Sequence, residues 1–187
     1  MIPLRAGSPV AVRCARVLQA YLGWEALVTE RCNHAHRVRV LRALFAAASR
    51  LGDGIGWYAL ALLMLVLHGA SAVVPMALML ASGGVGVLIY LTIKRRTARL
   101  RPLNRNRRLE ISVAPLDQYS FPSGHTLHAV NFGIQLVAFQ PALFWIVLPL
   151  ALLVASSRMV LGLHYLSDVL VGAAIGLLLA SLTLSLL

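Results

Sequence analysis

Two histidines, one aspartate and three cations are spaced through the second half of the chain in a pattern suited to moving a phosphoryl group. They fall in three stretches, KRRTARLRP (94–102), FPSGH (121–125) and SRMVLGLHYLSD (157–168). Lys94, Arg101 and Arg158 offer fixed positive charge, and Ser123 with Gly124 forms a turn that feeds a helix N-terminus. Guanidinium forks and free backbone N–H groups at a helix start are what a phosphate dianion needs. His164 and Asp168 are four residues apart, so on a helix they share one face and can meet. A carboxylate bonded to one imidazole nitrogen fixes the tautomer and leaves the other lone pair free to attack. His125, at the start of another apolar run, is then placed to protonate a leaving alkoxide, a role worth about 10² to 10⁴ in rate.

The elements that must position these groups are apolar. The composition is 59% hydrophobic and 12% charged, and the apolar residues are bunched in runs 55–69, 70–93, 125–140, 141–157 and 165–187. About 20 such residues cross a bilayer. The expectation is an all-α integral membrane protein with five spanning helices, 55–69 the shortest. A soluble bundle is the alternative, but five helices apolar all round leave too little polar surface for one. The chain reads as one membrane-embedded domain, with 1–50 an amphipathic N-terminal segment and 51–187 a catalytic helical core.

Within 1–50, residues 11–30 and 36–51 are amphipathic. Val38, Leu41, Phe45 and Ala48 fall on one helical face, and Arg39, Arg42 and Arg50 fall elsewhere on the wheel. Such helices lie along the headgroup boundary. A sixth span through 11–30 is the other option, but Arg13, Arg16 and Glu25 would each enter hydrocarbon at about 2.5 to 3.5 kcal/mol. The same three residues break up the apolar stretch that a cleaved signal peptide would need, so the N-terminus is expected to remain in the mature protein.

Traced through five spans, every Lys and Arg falls on one membrane face: eight arginines within 1–53, Lys94 and seven arginines up to Arg108, and Arg158, together all 17. Cytoplasmic loops are enriched in Lys and Arg, so this face is expected to be cytoplasmic. The formal charge of +11 also invites a nucleic-acid reading. It lacks a helix-turn-helix or RNA-binding signature, so no nucleic-acid partner is expected. Cys14 and Cys32 are expected to stay free. Gly172 with Gly176, and the cluster Gly83, Gly84 and Gly86, mark close helix contacts. Pro75 and Pro149 are expected to kink their helices.

The three stretches resemble the signature of the type 2 phosphatidic acid phosphatase superfamily, which includes bacterial phosphatidylglycerophosphatase B, undecaprenyl diphosphate phosphatases, glucose-6-phosphatase and the vanadium haloperoxidases. That signature is Lys, six residues, Arg-Pro; then Pro-Ser-Gly-His; then Ser-Arg, five residues, His, three residues, Asp. It is matched in order and spacing by Lys94 with Arg101-Pro102, by Pro122-Ser123-Gly124-His125, and by Ser157-Arg158 with His164 and Asp168. The resemblance implies that His164 is phosphorylated, Asp168 orients it and His125 protonates the leaving group. Lys94, Arg101, Arg158, Ser123 and the Gly124 amide would hold the phosphoryl oxygens, with no metal and no cofactor.

A lipid phosphatase in a bacterial inner membrane is therefore expected, acting on phosphatidylglycerophosphate, phosphatidic acid or a polyprenyl phosphate or diphosphate. Its partners would be that lipid and the bilayer. The competing reading is a non-catalytic membrane protein that binds anionic lipids or a partner through its arginine-rich face. A vanadate-dependent oxidase fits less well, because those relatives are soluble. The short chain and the compact loop 103–120 depart from the family and leave the substrate and the sidedness open; many bacterial relatives work on the outer face.

Other residues carry more ordinary expectations. His128 reads as packing beside the pocket, and His34 and His36 as a headgroup-facing loop. His68, Trp57, Tyr58 and Trp145 read as interfacial anchors. Asp53 either neutralises an arginine at the site or caps a loop. Arg105, Arg107 and Arg108 either meet a second phosphate or sugar or form a solvated basic loop.

Overall fold

A backbone in hydrocarbon can satisfy its amides only within its own segment, and the apolar runs accordingly form helices. The computed structural model describes residues 9–106, 108–115 and 117–187. Helix α1 (Pro9–Asn33) is followed by a 3₁₀ turn, α2 (Arg39–Arg50), a π-helical turn (Leu51–Ile55) and α3 (Gly56–His68). Then come α4 (Ala70–Thr97), the single turn α5 (Pro102–Arg105) and α6 (Gly124–Phe139). A short 3₁₀ turn leads into α7 (Phe144–Val160), which is followed by α8 (Leu166–Leu184).

Among the described residues, four helical segments are long and apolar enough to cross a membrane: Arg39–His68, Ala70–Thr97, Pro141–Val160 and Leu166–Leu184. The first takes in two helices, α2 and α3. The turn Leu51–Ile55 links α2 to α3 through a kink rather than a continuous helix, so the apolar stripe of α2 and the 55–69 run lie on either side of a bend within one 30-residue segment. Inside that turn Gly54 has φ 126°, a backbone conformation that only glycine adopts without strain. Helix α6, with 16 residues, rises only about 24 Å at 1.5 Å per residue. It compensates for its length by position, packed among α4, α7 and α8 at the centre of the bundle.

Between lipid-bathed helices close packing rather than hydrophobic burial drives association, and small residues let backbones approach. On α8, a Cβ at Gly172 would strike the carbonyl oxygen of Ser123, and one at Gly176 that of Leu127. Those glycines therefore set how closely α8 approaches α6. On α4, a Cβ at Gly83 would meet Phe132, and one at Gly86 would meet Leu127. Trp57, Met64, Met76, Met79, Phe132 and Val154 form the core between α3, α4, α6 and α7. Trp57 is thus no interfacial anchor. Its ring is completely buried within that core, edge-on to Phe132. In the same core Ser82 Oγ accepts hydrogen bonds from Asn131 Nδ2 and Gln135 Nε2, both at 3.0 Å, so these buried polar groups satisfy one another.

Helix α1 is mostly exposed, yet Glu25, Thr29 and Asn33 on it are buried. Asn33 Nδ2 donates to Val160 O at 2.8 Å and to Glu110 O at 3.1 Å, tying the end of α1 to the end of α7 and to the loop after α5. His36, expected to face headgroups, is buried instead, with Nδ1 3.2 Å from a Glu110 carboxylate oxygen. Cys14 and Cys32 are unpaired.

Candidate active site

The ends of α4, α7 and the turns before α6 and α8 meet at one rim of the bundle, around a cavity of about 480 Å³. Its polar wall carries Lys94, Arg101, Asp117, His125, Arg158 and His164, and its apolar wall includes Trp57, Leu80, Val87 and Phe132. The residues of the three sequence stretches, scattered over 75 positions, therefore share one site.

His164 is placed by the turn between α7 and α8 rather than by a helix. Gly162 adopts φ 67°, letting the chain reverse, and the Leu163 and His164 amides both donate to Arg158 O at 3.0 Å. Asp168 lies in the first turn of α8. The two groups thus meet across a helix start, not along one helical face. His164 Nδ1 lies 3.6 Å from Asp168 Oδ2, an orienting contact rather than a formed hydrogen bond. The other ring nitrogen, Nε2, accepts from Arg101 at 3.1 Å. Burial, reinforced by Arg158, Arg101, Lys94 and His125, holds the His164 ring well below the ordinary histidine value, so it is neutral.

Arg101 is a preset fork. Nη1 also donates to Leu163 O at 3.0 Å, Nε to Asp117 O at 2.9 Å and Nη2 to Asp117 Oδ1 at 2.8 Å. Lys94 Nζ reaches the other oxygen of Asp117 at 2.6 Å. One carboxylate therefore spans two cations. Burial pushes the Asp117 carboxyl upward, but the Lys94 and Arg101 contacts outweigh it and hold the group below its ordinary value. Arg158 is buried, with Nη1 donating to Ser49 Oγ of α2 at 2.6 Å.

Ser123 caps α6, accepting from the Thr126 amide at 3.4 Å and sharing a hydrogen bond between hydroxyls with Thr126 at 2.9 Å. Its own amide donates to Asp168 O at 2.9 Å, which locks the turn onto the start of α8. Ser123 and Asp168 stand behind the cavity wall, while Gly124 and His125 line it. His125 Nε2 is hydrogen-bonded to Asp53 Oδ1, carried by the π-helical turn. His128 also lines the cavity and stacks on Phe132.

Asp53 was legible only as two alternatives, and Asp117 was not singled out at all. The available signal was scarcity: six Asp and Glu against 17 Lys and Arg. In such a chain each carboxylate is drawn to a cation. Arg105 and Arg108 are exposed and do not line the cavity, and Arg107 lies outside the described residues.

A curated undecaprenyl-diphosphatase of Sulfolobus acidocaldarius is 28% identical over 148 residues, covering 75% of this chain and 68% of that protein. A crystal structure of a transmembrane PAP2-type phosphatidylglycerolphosphate phosphatase from Bacillus subtilis superposes with a TM-score of 0.72 at 24% identity, covering 89% of this chain and 86% of the other. That of Aquifex aeolicus LpxE superposes with a TM-score of 0.73 at 23% identity, covering 84% and 92%. These likenesses establish the fold. Residues 72–187, from α4 to the end and including all three signature stretches, match the model of the PAP2 superfamily, and the chain belongs to that family.

Proposed function

We propose that this integral membrane protein hydrolyses a phosphate monoester or diphosphate of a lipid through a phosphohistidine on His164. The observation that carries the reading is the pair of contacts on one ring. Nδ1 faces Asp168, so Nε2 bears the lone pair, and Nε2 faces the cation-lined cavity beside Arg101.

Lys94, Arg101, Arg158 and the Gly124 amide hold the non-bridging oxygens of the entering phosphate. Ser123 serves by capping α6 and presenting that amide. As phosphate binds, the Arg101 N–H turns from Nε2 to a phosphoryl oxygen and uncaps the nucleophile. The Nε2–P bond forms, the bond from phosphorus to the bridging oxygen breaks, and the leaving oxygen takes a proton from His125. Asp168 stabilises the resulting phosphoimidazolium. A water then gives its proton to His125 and attacks phosphorus. The P–N bond breaks, phosphate departs and the lone pair returns to His164.

The apolar wall formed by Trp57, Leu80, Val87 and Phe132 suits a substrate whose tail stays in lipid. The names of the relatives favour polyprenyl diphosphate and phosphatidylglycerophosphate among the candidates. His164→Ala should abolish phosphate release from a panel of these lipids in detergent, with membrane insertion retained. Turnover equal to wild type would overturn the mechanism. The Lys and Arg asymmetry supports a site facing the cytoplasm of a bacterial inner membrane. Labelling of cysteines placed in the 103–120 loop of intact cells by an impermeant reagent would overturn that orientation.

A further inference from the structure

Behind the reacting ring lies a second row of charge. Asp168 Oδ1 accepts from Arg99 Nη1 at 2.8 Å, and Arg99 Nη2 donates to Glu25 Oε2 at 2.6 Å. The other Glu25 oxygen accepts the Ser167 amide at 2.6 Å, and Arg99 Nη1 also donates to Ser167 Oγ at 2.6 Å. Glu25 is completely buried and the Arg99 side chain is 20% exposed, lying over the Tyr165 ring at 4.2 Å. Burial would lower the Arg99 value, but Asp168 and Glu25 together raise it, so the guanidinium stays charged. Neither residue lines the cavity.

We propose that Arg99 and Glu25 are positioning residues for His164, acting through Asp168. This rests on His164 being the nucleophile. An aspartate side chain turns easily about its last torsion, and a buried carboxylate without a cation takes up a proton rather than remain charged. Asp168 Oδ2 accepts the Tyr165 amide at 2.8 Å while facing His164. Arg99 holds the opposite oxygen, so the carboxylate cannot rotate freely and keeps a cation beside it. Glu25 fixes the far arm of Arg99 and, through the Ser167 amide, the first turn of the helix that carries Asp168. Glu25 comes from α1, outside the 72–187 region that the family shares. The N-terminal helix thereby contributes to the catalytic geometry of a site it does not touch.

The test uses the full chain in detergent with the variants Arg99→Gln, Arg99→Lys, Glu25→Gln and the double Glu25→Gln/Arg99→Gln. The readouts are kcat, KM, inhibition by inorganic phosphate, and melting temperature. Arg99→Gln should lose about 10- to 100-fold in kcat, with KM and phosphate inhibition within about twofold, as expected for an outer partner of a working residue. Arg99→Lys should recover part of the loss. Glu25→Gln should lose less, and the double variant no more than Arg99→Gln alone, because both act along one chain of contacts. Full kcat in folded Arg99→Gln and Glu25→Gln, with only the melting temperature lowered, would overturn the proposal and leave the mechanism standing. A wild-type protein that releases no phosphate from any lipid on the panel would overturn both.

Discussion

Asp117 Oδ2 lies 2.6 Å from Lys94 Nζ, so a carboxylate occupies the cation that the signature reserves for phosphate. The same group holds Arg101. A phosphate entering the cavity competes with a resident anion. Asp117→Asn keeps the shape and removes the charge, so inorganic phosphate should inhibit about tenfold more strongly, the equivalent of about 1.4 kcal/mol. Product-inhibition constants check this, and an unchanged constant would show that Asp117 does not compete.

Asp53 fixes one nitrogen of His125, the proton donor of the proposed mechanism. Asp53→Asn should therefore slow lipids with alkoxide leaving groups by about 10- to 100-fold, part of the range of a general acid. An aryl phosphate such as p-nitrophenyl phosphate, whose leaving group departs without a proton, should be slowed much less. Equal losses on both would assign Asp53 a structural role.

The buried neutral ring of His164 makes stability depend on pH. Its folded value lies well below the ordinary 6.5 of an unfolded histidine. As pH falls through 6.5 the unfolded chain takes up a proton that the folded one refuses, so stability is lost on acidification. Melting temperatures at pH 7.5 and 5.5 should fall further for wild type than for His164→Asn. An equal fall would mean that the ring charges freely in the fold.

Gly172 sits where a Cβ would strike the Ser123 carbonyl. Gly172→Ala should cost about 1 to 3 kcal/mol by forcing α8 off α6, and it should reduce activity because that contact also spaces Asp168 from the turn carrying His125. Gly23→Ala, where nothing lies within 4 Å of the new carbon, should instead gain about 0.5 to 1 kcal/mol from helix propensity. Denaturant titration in mixed micelles measures both.

The cavity residues Lys94, Arg101, His125, Arg158 and His164 were legible because each belongs to a local stretch whose spacing has one chemical use. Asp117, Glu25 and Arg99 were not, because their partners are chosen by folding. Glu25 meets Arg99 across 74 positions, and no periodicity encodes that. The apolar runs marked the helices well, and the gap between 36–51 and 55–69 marked the bend between α2 and α3. Gly54 takes a non-helical conformation there and bends the chain. His36 and Trp57 were misplaced: residue type suggests an interface, and the packing of neighbouring helices decides otherwise.

The inward use of negative charge has a consequence at long range. Asp53, Asp117 and Asp168 are committed at the site, Glu25 behind it, and Glu30 and Glu110 against Asn106, His36 and Arg37. The net charge of +11 is thus left on exposed cations, among them Arg95, Arg96, Arg105 and Arg108, which flank Lys94 and Arg101 in the sequence. Such a field draws anionic headgroups in from about 10 Å at 0.1 M ionic strength and contracts as electrolyte is added. Capture of substrate is accordingly tied to the ionic atmosphere, while the bond-making step, enclosed in protein, is insulated from it.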